Sequence, residues 1–171
     1  MAAGRFEPGM NSGDTQPGER VWRRPVPAER DTAALARQFA AALEPPCVIY
    51  LRGDLGAGKT LFTRAYIQAK GYDGYVKSPS YGLLETYELE NQTVLHLDLY
   101  RIEDPEELEY LAIRDLHRRN SVLMVEWPDR GKGFLPAPDL VLEFGETDES
   151  RFIECLSFSS KGSRLATLVD T

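Results

Sequence analysis

Residues 53–60 read Gly-Asp-Leu-Gly-Ala-Gly-Lys-Thr and follow directly on the apolar run Cys47-Val48-Ile49-Tyr50-Leu51. Gly53, Gly58, Lys59 and Thr60 complete the spacing G-x-x-x-x-G-K-[ST] without a gap. Each residue type has a role in holding phosphate. Gly56 and Gly58 permit backbone angles that aim successive N–H groups inward and let an anion approach. A helix beginning at Lys59 turns the positive end of its dipole toward the same spot. The Lys59 ammonium can reach β- and γ-phosphates, and the Thr60 hydroxyl can ligate magnesium. The expected nucleotide contacts of this stretch are Leu55, Gly56, Ala57, Gly58, Lys59, Thr60 and Leu61.

A phosphate cradle hydrolyses nothing until a second carboxylate handles the metal or the attacking water, commonly from the tip of a neighbouring strand. Two apolar runs end in such a residue. Thr93-Val94-Leu95-His96-Leu97-Asp98 ends in Asp98, and Ser121-Val122-Leu123-Met124-Val125-Glu126 ends in Glu126. In the first run, strand alternation puts His96, Asp98 and Tyr100 on one face and Leu95, Leu97 and Leu99 on the other. That reads as an amphipathic strand with one wet side, on which His96 is an ordinary polar residue and Asp98 the functional one. In the second, a carboxylate closing a buried strand is costly unless paired or metal-bound, so Glu126 is expected at a metal site. Between the loop and these strands lies Ser78-Pro79-Ser80-Tyr81. Its position suits a switch that senses the γ-phosphate, although Ser-Pro also marks a plain turn.

The elements that must position these groups follow from the flanking pattern. Residues 21–27 form an edge strand at most, because of their prolines. Asp31 or Thr32 is expected to cap a helix carrying Leu35, Phe39 and Leu43 on one face and ending at Pro45-Pro46. Residues 47–51 suit a strand covered on both faces. A helix is expected from Lys59 to about Lys70, stopping at Gly71. Residues 83–89 and 93–99 read as a hairpin. Asp104-Pro105-Glu106-Glu107 reads as a helix start. Residues 139–144 and 151–158 read as late, antiparallel strands. Helices interleaved with apolar strands predict an α/β fold: a three-layer sandwich with a mainly parallel central sheet and antiparallel additions. The expected organisation is a disordered tail over 1–20, one domain over 21–160 and a C-terminal tail over 161–171.

Composition narrows the partners. The chain has 171 residues, 42% hydrophobic and 27% charged, with a formal net charge of −7. An acidic chain does not coat nucleic acid by itself, since phosphate binding rests on Lys and Arg displacing counterions. The basic residues at 114–119 and at Arg20, Arg23 and Arg24 read as solvated surface. Two cysteines, Cys47 and Cys155, sit in apolar stretches and read as buried thiols. His96 and His117 are too few and too scattered for a zinc cluster. Residues 1–20 lack the apolar core of a secretory signal, and no stretch approaches a membrane span. The expectation is a soluble, cytoplasmic protein.

Taken in order, Gly-Asp-Leu-Gly-Ala-Gly-Lys-Thr, Val76-Lys77-Ser78-Pro79-Ser80-Tyr81, His96-Leu97-Asp98-Leu99-Tyr100-Arg101 and Val125-Glu126-Trp127-Pro128 resemble the TsaE (YjeE) family. These are bacterial ATPases required to form threonylcarbamoyladenosine on tRNA. The resemblance spans about residues 28 to 158. It implies a small P-loop NTPase-like domain that binds ATP and Mg2+ and docks on the TsaB–TsaD pair as a switch or reset subunit, meeting tRNA only through that complex. It implies that Lys59 holds phosphates, that Thr60 and Glu126 ligate the metal, and that Asp98 is the acid needed for hydrolysis. Trp127 would lie beside the nucleotide, Thr32 near the adenine, and Arg151 at a further nucleotide contact. Ser80 stands where many members carry threonine, keeping the hydroxyl without the methyl.

The alternative is a P-loop small-molecule kinase, which needs an acceptor pocket and usually an Arg-rich lid. The segment Trp127-Pro128-Asp129-Arg130-Gly131-Lys132 is short for one. A guanine switch would carry Asn-Lys-x-Asp, and none of the asparagines at 11, 91 and 120 begins it. A module that merely holds ATP has no need of two acids beside the metal.

Overall fold

The computed structural model describes residues 18–171. Seven strands form one sheet in the order β1-β7-β6-β2-β5-β4-β3. Its centre is parallel: β2 (Cys47–Arg52) lies between β5 (Ser121–Glu126) and β6 (Leu140–Glu146), and β4 (Thr93–Asp98) continues outward from β5. Antiparallel strands finish both sides. β3 (Leu84–Glu88) closes the hairpin with β4, while β7 (Arg151–Ser157) joins β6 to the edge strand β1 (Glu19–Pro25). The predicted mainly parallel α/β sheet with antiparallel additions is therefore what forms.

The layers are unequal. One face is covered by α1 (Glu29–Ala42), α2 (Lys59–Ala69) and a C-terminal helix α5 (Ser160–Val169). Here Phe39, Phe62 and Phe144 meet edge-on, with ring centroids 5.4 and 6.1 Å apart. Such contacts add about 0.5–1.5 kcal/mol each beyond their burial and brace the base of the glycine loop. The other face is covered by short pieces: the helical turns α3 (Glu107–Tyr110) and α4 (Ile113–Leu116), and a 3-10 turn at Pro128–Gly131. The helix started at Asp104 runs only that far because Ala112 takes a left-handed conformation with φ 50°.

Three expectations need correction. The first helix begins at Glu29, so Asp31 and Thr32 lie inside it; the Asp31 carboxylate reaches back to accept the Ala28 N–H at 2.9 Å. Residues 161–171, expected as a tail, mostly belong to α5, which buries Leu165, Ala166 and Val169 on the apolar side of a short amphipathic pattern. Trp22 donates its indole N–H to the Ala166 carbonyl at 3.0 Å, tying that helix to β1. Of the expected N-terminal tail, residues 1–17 lie outside the described residues, and Glu19 and Arg20 already belong to β1. Cys47 and Cys155 are both buried and free. Among the described residues no helix is long and apolar enough to cross a membrane.

Candidate active site

Three parallel strands deliver the site. Leu51 on β2, Glu126 on β5 and Asp98 on β4 stand side by side in register at the carboxyl edge of the sheet. Ligands of open α/β sheets bind along this edge. The glycine loop leaves β2 there and turns directly into α2. Gly58 takes a left-handed conformation with φ 109°, which lets Lys59 start the helix at once. Gly56 has φ 77° and open space where a side chain would point, so its backbone borders the cleft without obstruction.

A cleft of about 390 Å3 runs along the loop. It is lined by Thr32, Leu55, Gly56, Ala57, Gly58, Lys59, Thr60, Leu61, Ser80, Asp98, Glu126, Trp127 and Arg151, so every candidate site residue borders one cavity. The volume falls within the usual range for small-molecule sites, about 300–1,000 Å3. Strand order divides it. Thr32 and Arg151 belong to the β1–β7 side, with Val26, Ala28 and Glu29, whereas Asp98 and Ser80 belong to the β4–β3 side, with Ser78; Arg64 borders the cleft from α2.

The polar groups fall into three neighbouring hydrogen-bonded sets around Glu126, Asp98 and Lys59. The Thr60 hydroxyl donates to Glu126 Oε1 at 2.7 Å, and His96 Nε2 lies 3.1 Å from the same oxygen. His96 is 0% exposed, so the expected wet side of β4 does not exist: α2 covers it, and the imidazole serves Glu126 rather than solvent. Asp98 Oδ1 accepts the Tyr100 N–H at 3.0 Å, and its Oδ2 accepts the Ser80 hydroxyl at 3.3 Å. Ser78 and Ser80 hydroxyls meet at 2.6 Å. Lys59 Nζ donates to the carbonyls of Gly53 at 2.5 Å and Asp54 at 2.7 Å, and stands 4.6 Å from the Trp127 ring centroid. Trp127 is held left-handed with φ 57°, a strained conformation for a bulky residue, and turns the chain sharply after Glu126.

Electrostatics separate the two acids. Burial pushes the Glu126 carboxyl up, but the His96 imidazole, the Thr60 hydroxyl and the Lys59 ammonium outweigh it and hold Glu126 below its ordinary value. Burial raises Asp98; the Tyr100 N–H works against this and the Glu126 charge adds to it. Lys59 is lowered by burial, opposed by Glu126, Asp98 and Asp54. The two environments push the neighbouring carboxyls apart, Glu126 toward holding its charge and Asp98 toward holding a proton more tightly than an ordinary aspartate.

The donor set suits a hard divalent cation. A hydroxyl, an ionised carboxylate and a second carboxyl all offer oxygen, and magnesium characteristically takes one or two protein oxygens and fills the rest with water and substrate phosphate. The Thr60–Glu126 contact brings the two leading candidates together at the cleft. Sequence reasoning missed Val26, Ala28, Glu29 and Arg64, whereas Ser78 belongs to the expected switch segment. Only Arg64 left a trace in the sequence, four residues beyond Thr60 and hence on the same helical face.

Comparison with known proteins shows the family of the chain. The family model described as Threonylcarbamoyl adenosine biosynthesis protein TsaE matches residues 26–153. A Haemophilus influenzae protein named tRNA threonylcarbamoyladenosine biosynthesis protein TsaE is 39% identical over 145 residues, covering 82% of this chain and 92% of that one. A Bacillus subtilis protein of the same name is 33% identical, with 87% and 90% covered. The crystal structure of Bacillus subtilis YdiB superposes with a TM-score of 0.72 at 25% identity, covering 90% of this chain and 95% of that one. On a match that takes in the loop, both carboxylates and most of the sheet, this chain belongs to the TsaE family of threonylcarbamoyl adenosine biosynthesis proteins.

Proposed function

We propose that this chain is a magnesium-dependent ATPase subunit of tRNA threonylcarbamoyladenosine biosynthesis, acting as a switch or reset factor on the TsaB–TsaD complex. The observation that carries the reading is the placement of Asp98 and Glu126 as register partners at the sheet edge, with Glu126 bonded to the Thr60 hydroxyl of the glycine loop. A binding module needs the loop alone; two buried acids beside it suit hydrolysis.

In this reading the loop amides and Lys59 bind the phosphates, with Lys59 leaving the Gly53 and Asp54 carbonyls to do so. Thr32 and Arg151 border the base and ribose end. Thr60 and Glu126 hold magnesium, and Asp98 can complete its shell or orient water. Bound there, magnesium supplies charge neutralisation along the phosphates. His96 fixes the Glu126 carboxylate from beneath. Asp98 meets the attacking water and, with its raised affinity for a proton, can accept one. Ser80 links Asp98 to the 78–81 segment, so the state of the terminal phosphate can be felt in that segment and passed to a docked partner. The net charge of −7 supports leaving tRNA to the partner subunits, and a cytoplasmic location follows from that role.

The test is phosphate release from Mg-ATP by the chain alone and with TsaB and TsaD, for wild type and Glu126→Ala. Weak activity alone, stimulation by the partners and loss in the variant are expected. Absence of any partner effect overturns the switch reading, and phosphate transfer to an added acceptor favours a kinase.

A further inference from the structure

The nucleotide reading leaves one cation unused. Arg64 lies on α2 one turn beyond Thr60 and lines the same cleft as Ser78, Ser80 and Asp98. Its Nε is buried and has no hydrogen-bond partner, and among the described residues Arg64 enters no salt bridge. The contrast with its neighbours is clear. Lys59, in the same cleft, is satisfied by two carbonyls. Arg52, whose Nε is likewise buried, pairs with Asp129 at 3.0 Å and Glu143 at 3.6 Å. Among the described residues, a guanidinium with a buried, unpartnered N–H at the wall of the cleft has a donor to offer an anion.

The strand order says which part of the nucleotide that anion belongs to. The loop follows the central strand β2, the base end lies toward β1 and β7, and Arg64 lies away from it. Its helix leans over the β3–β4 hairpin, where Tyr66 of α2 donates its phenol O–H to Gln92 at 2.7 Å, and on β3 the Tyr87 oxygen accepts the Lys77 backbone N–H at 3.2 Å. Arg64 therefore shares the cleft with Ser78, Ser80 and Asp98 on the side of the β3–β4 hairpin. There a terminal phosphate would emerge beyond Lys59 and Thr60.

We propose that Arg64 is a further anion-binding residue of this site, taking an oxygen of the terminal phosphate of a nucleoside triphosphate together with the Ser78–Ser80 hydroxyl pair. A planar guanidinium donates two parallel N–H groups to phosphate oxygens, which an ammonium cannot do. In this arrangement the γ-phosphate draws the 77–80 segment and α2 together, and its loss frees Arg64 and the serines at once. The inference rests on the nucleotide reading and adds to it the residue that distinguishes triphosphate from diphosphate.

The experiment measures dissociation constants for ADP and for a non-hydrolysable ATP analogue, with magnesium, on the full chain as wild type, Arg64→Ala and Arg64→Lys. It also measures thermal unfolding without nucleotide. A charge-assisted bond predicts that Arg64→Ala weakens the analogue about 10- to 100-fold and ADP by less than about twofold. Arg64→Lys falls between, because the charge remains and the paired donors do not. The nucleotide-free variants should unfold no lower than wild type, since among the described residues the side chain has no hydrogen-bond partner to lose and its buried Nε is unsatisfied. Equal weakening of both ligands, no weakening of either, or a lowered unfolding temperature without nucleotide overturns the proposal. If wild type binds neither nucleotide, the nucleotide reading itself fails; if wild type binds both and Arg64→Ala leaves them alike, only the role of Arg64 fails.

Discussion

Glu126 separates the structural from the chemical work of this site, because two substitutions there have different consequences. Both hydrogen bonds it receives, from Thr60 at 2.7 Å and from His96 at 3.1 Å, fall on Oε1. Glu126→Gln keeps a carbonyl oxygen in that place, so both bonds can persist and the stability loss should stay within about 1 kcal/mol. Glu126→Ala leaves the wholly buried His96 with neither ring nitrogen partnered, since Nδ1 already lacks a partner. An orphaned buried donor costs about 1–3 kcal/mol, and lost packing brings the total to roughly 2–4 kcal/mol. For a domain of this size that is a fall in Tm of about 5–15 °C, against about 4 °C or less for Glu126→Gln.

Catalytically the two variants should be alike, because both remove the charge. Two unit charges 4 Å apart at an effective dielectric constant near 20 interact by about 4 kcal/mol. If half survives desolvation, losing it slows hydrolysis at least about 30-fold. The assay pairs magnesium-dependent phosphate release, with TsaB and TsaD present, with thermal unfolding of the nucleotide-free chain. A Glu126→Gln protein within threefold of wild-type activity refutes the metal role. A Glu126→Ala protein as stable as Glu126→Gln refutes the buried network.

Asp98 should show the reverse trade. Its carboxyl is raised in the folded chain by burial above all, so the folded state holds the proton more tightly than the unfolded one, and stability is lost as pH rises through the folded value. Asp98→Asn should therefore raise the Tm of nucleotide-free protein at neutral pH, with the gain vanishing below about pH 3.9, while hydrolysis collapses; an unchanged or lowered Tm in pH-resolved unfolding counts against the assignment. Burial pushes the Cys47 and Cys155 thiols up to about 12. Thiol reagents at pH 8 should label neither in the folded chain and both after unfolding, and fast labelling of either in native protein would contradict its burial. Leu165→Ala should cost roughly 2–4 kcal/mol, read as a lower denaturant midpoint, because α5 is part of the core; a loss under 0.5 kcal/mol would return that helix to the status of a tail.

What the sequence made legible depended on distance along the chain. The glycine loop is a local code, so its eight residues and the strand and helix around it could be placed without the fold. Asp98 and Glu126 were identified as strand-end acids, but their adjacency is a property of strand order, which the chain cannot show over a separation of 28 residues. His96 was misjudged for the same reason. Alternation assigned its face correctly, yet whether that face meets water depended on α2, thirty residues earlier, lying across it. α5 was missed because its apolar set is short and begins after the polar stretch Ser159 to Ser163, and only its packing on β1, β6 and β7 reveals it as a core helix.

The departures from ordinary protein architecture fall where the chemistry is proposed. Among the described residues, three buried side-chain nitrogens lack a partner: His96 Nδ1, Arg64 Nε and Arg52 Nε. The first supports Glu126, the second borders the cleft, and the third lies on the last residue of β2, immediately before the glycine loop. Of the three non-glycine residues with positive φ among the described residues, Trp127 follows Glu126 directly, Leu83 accepts the Asp98 N–H through its carbonyl at 3.0 Å, and Ala112 alone lies away from the cleft. Asp98 is held above its ordinary range and Lys59 below it. Each of these costs free energy in the nucleotide-free chain, and random placement over a seven-stranded sheet would scatter them. Local rules tend to be broken where a site must stay poised for something it does not yet hold. A ligand bringing negative charge to Arg64 and Lys59 and positive charge to Asp98 relieves those three penalties together, and a nucleoside triphosphate with its magnesium does so with one molecule. Nucleotide binding should then stabilise this chain by more than its contact area alone implies, and the excess should shrink when Arg64 is neutralised.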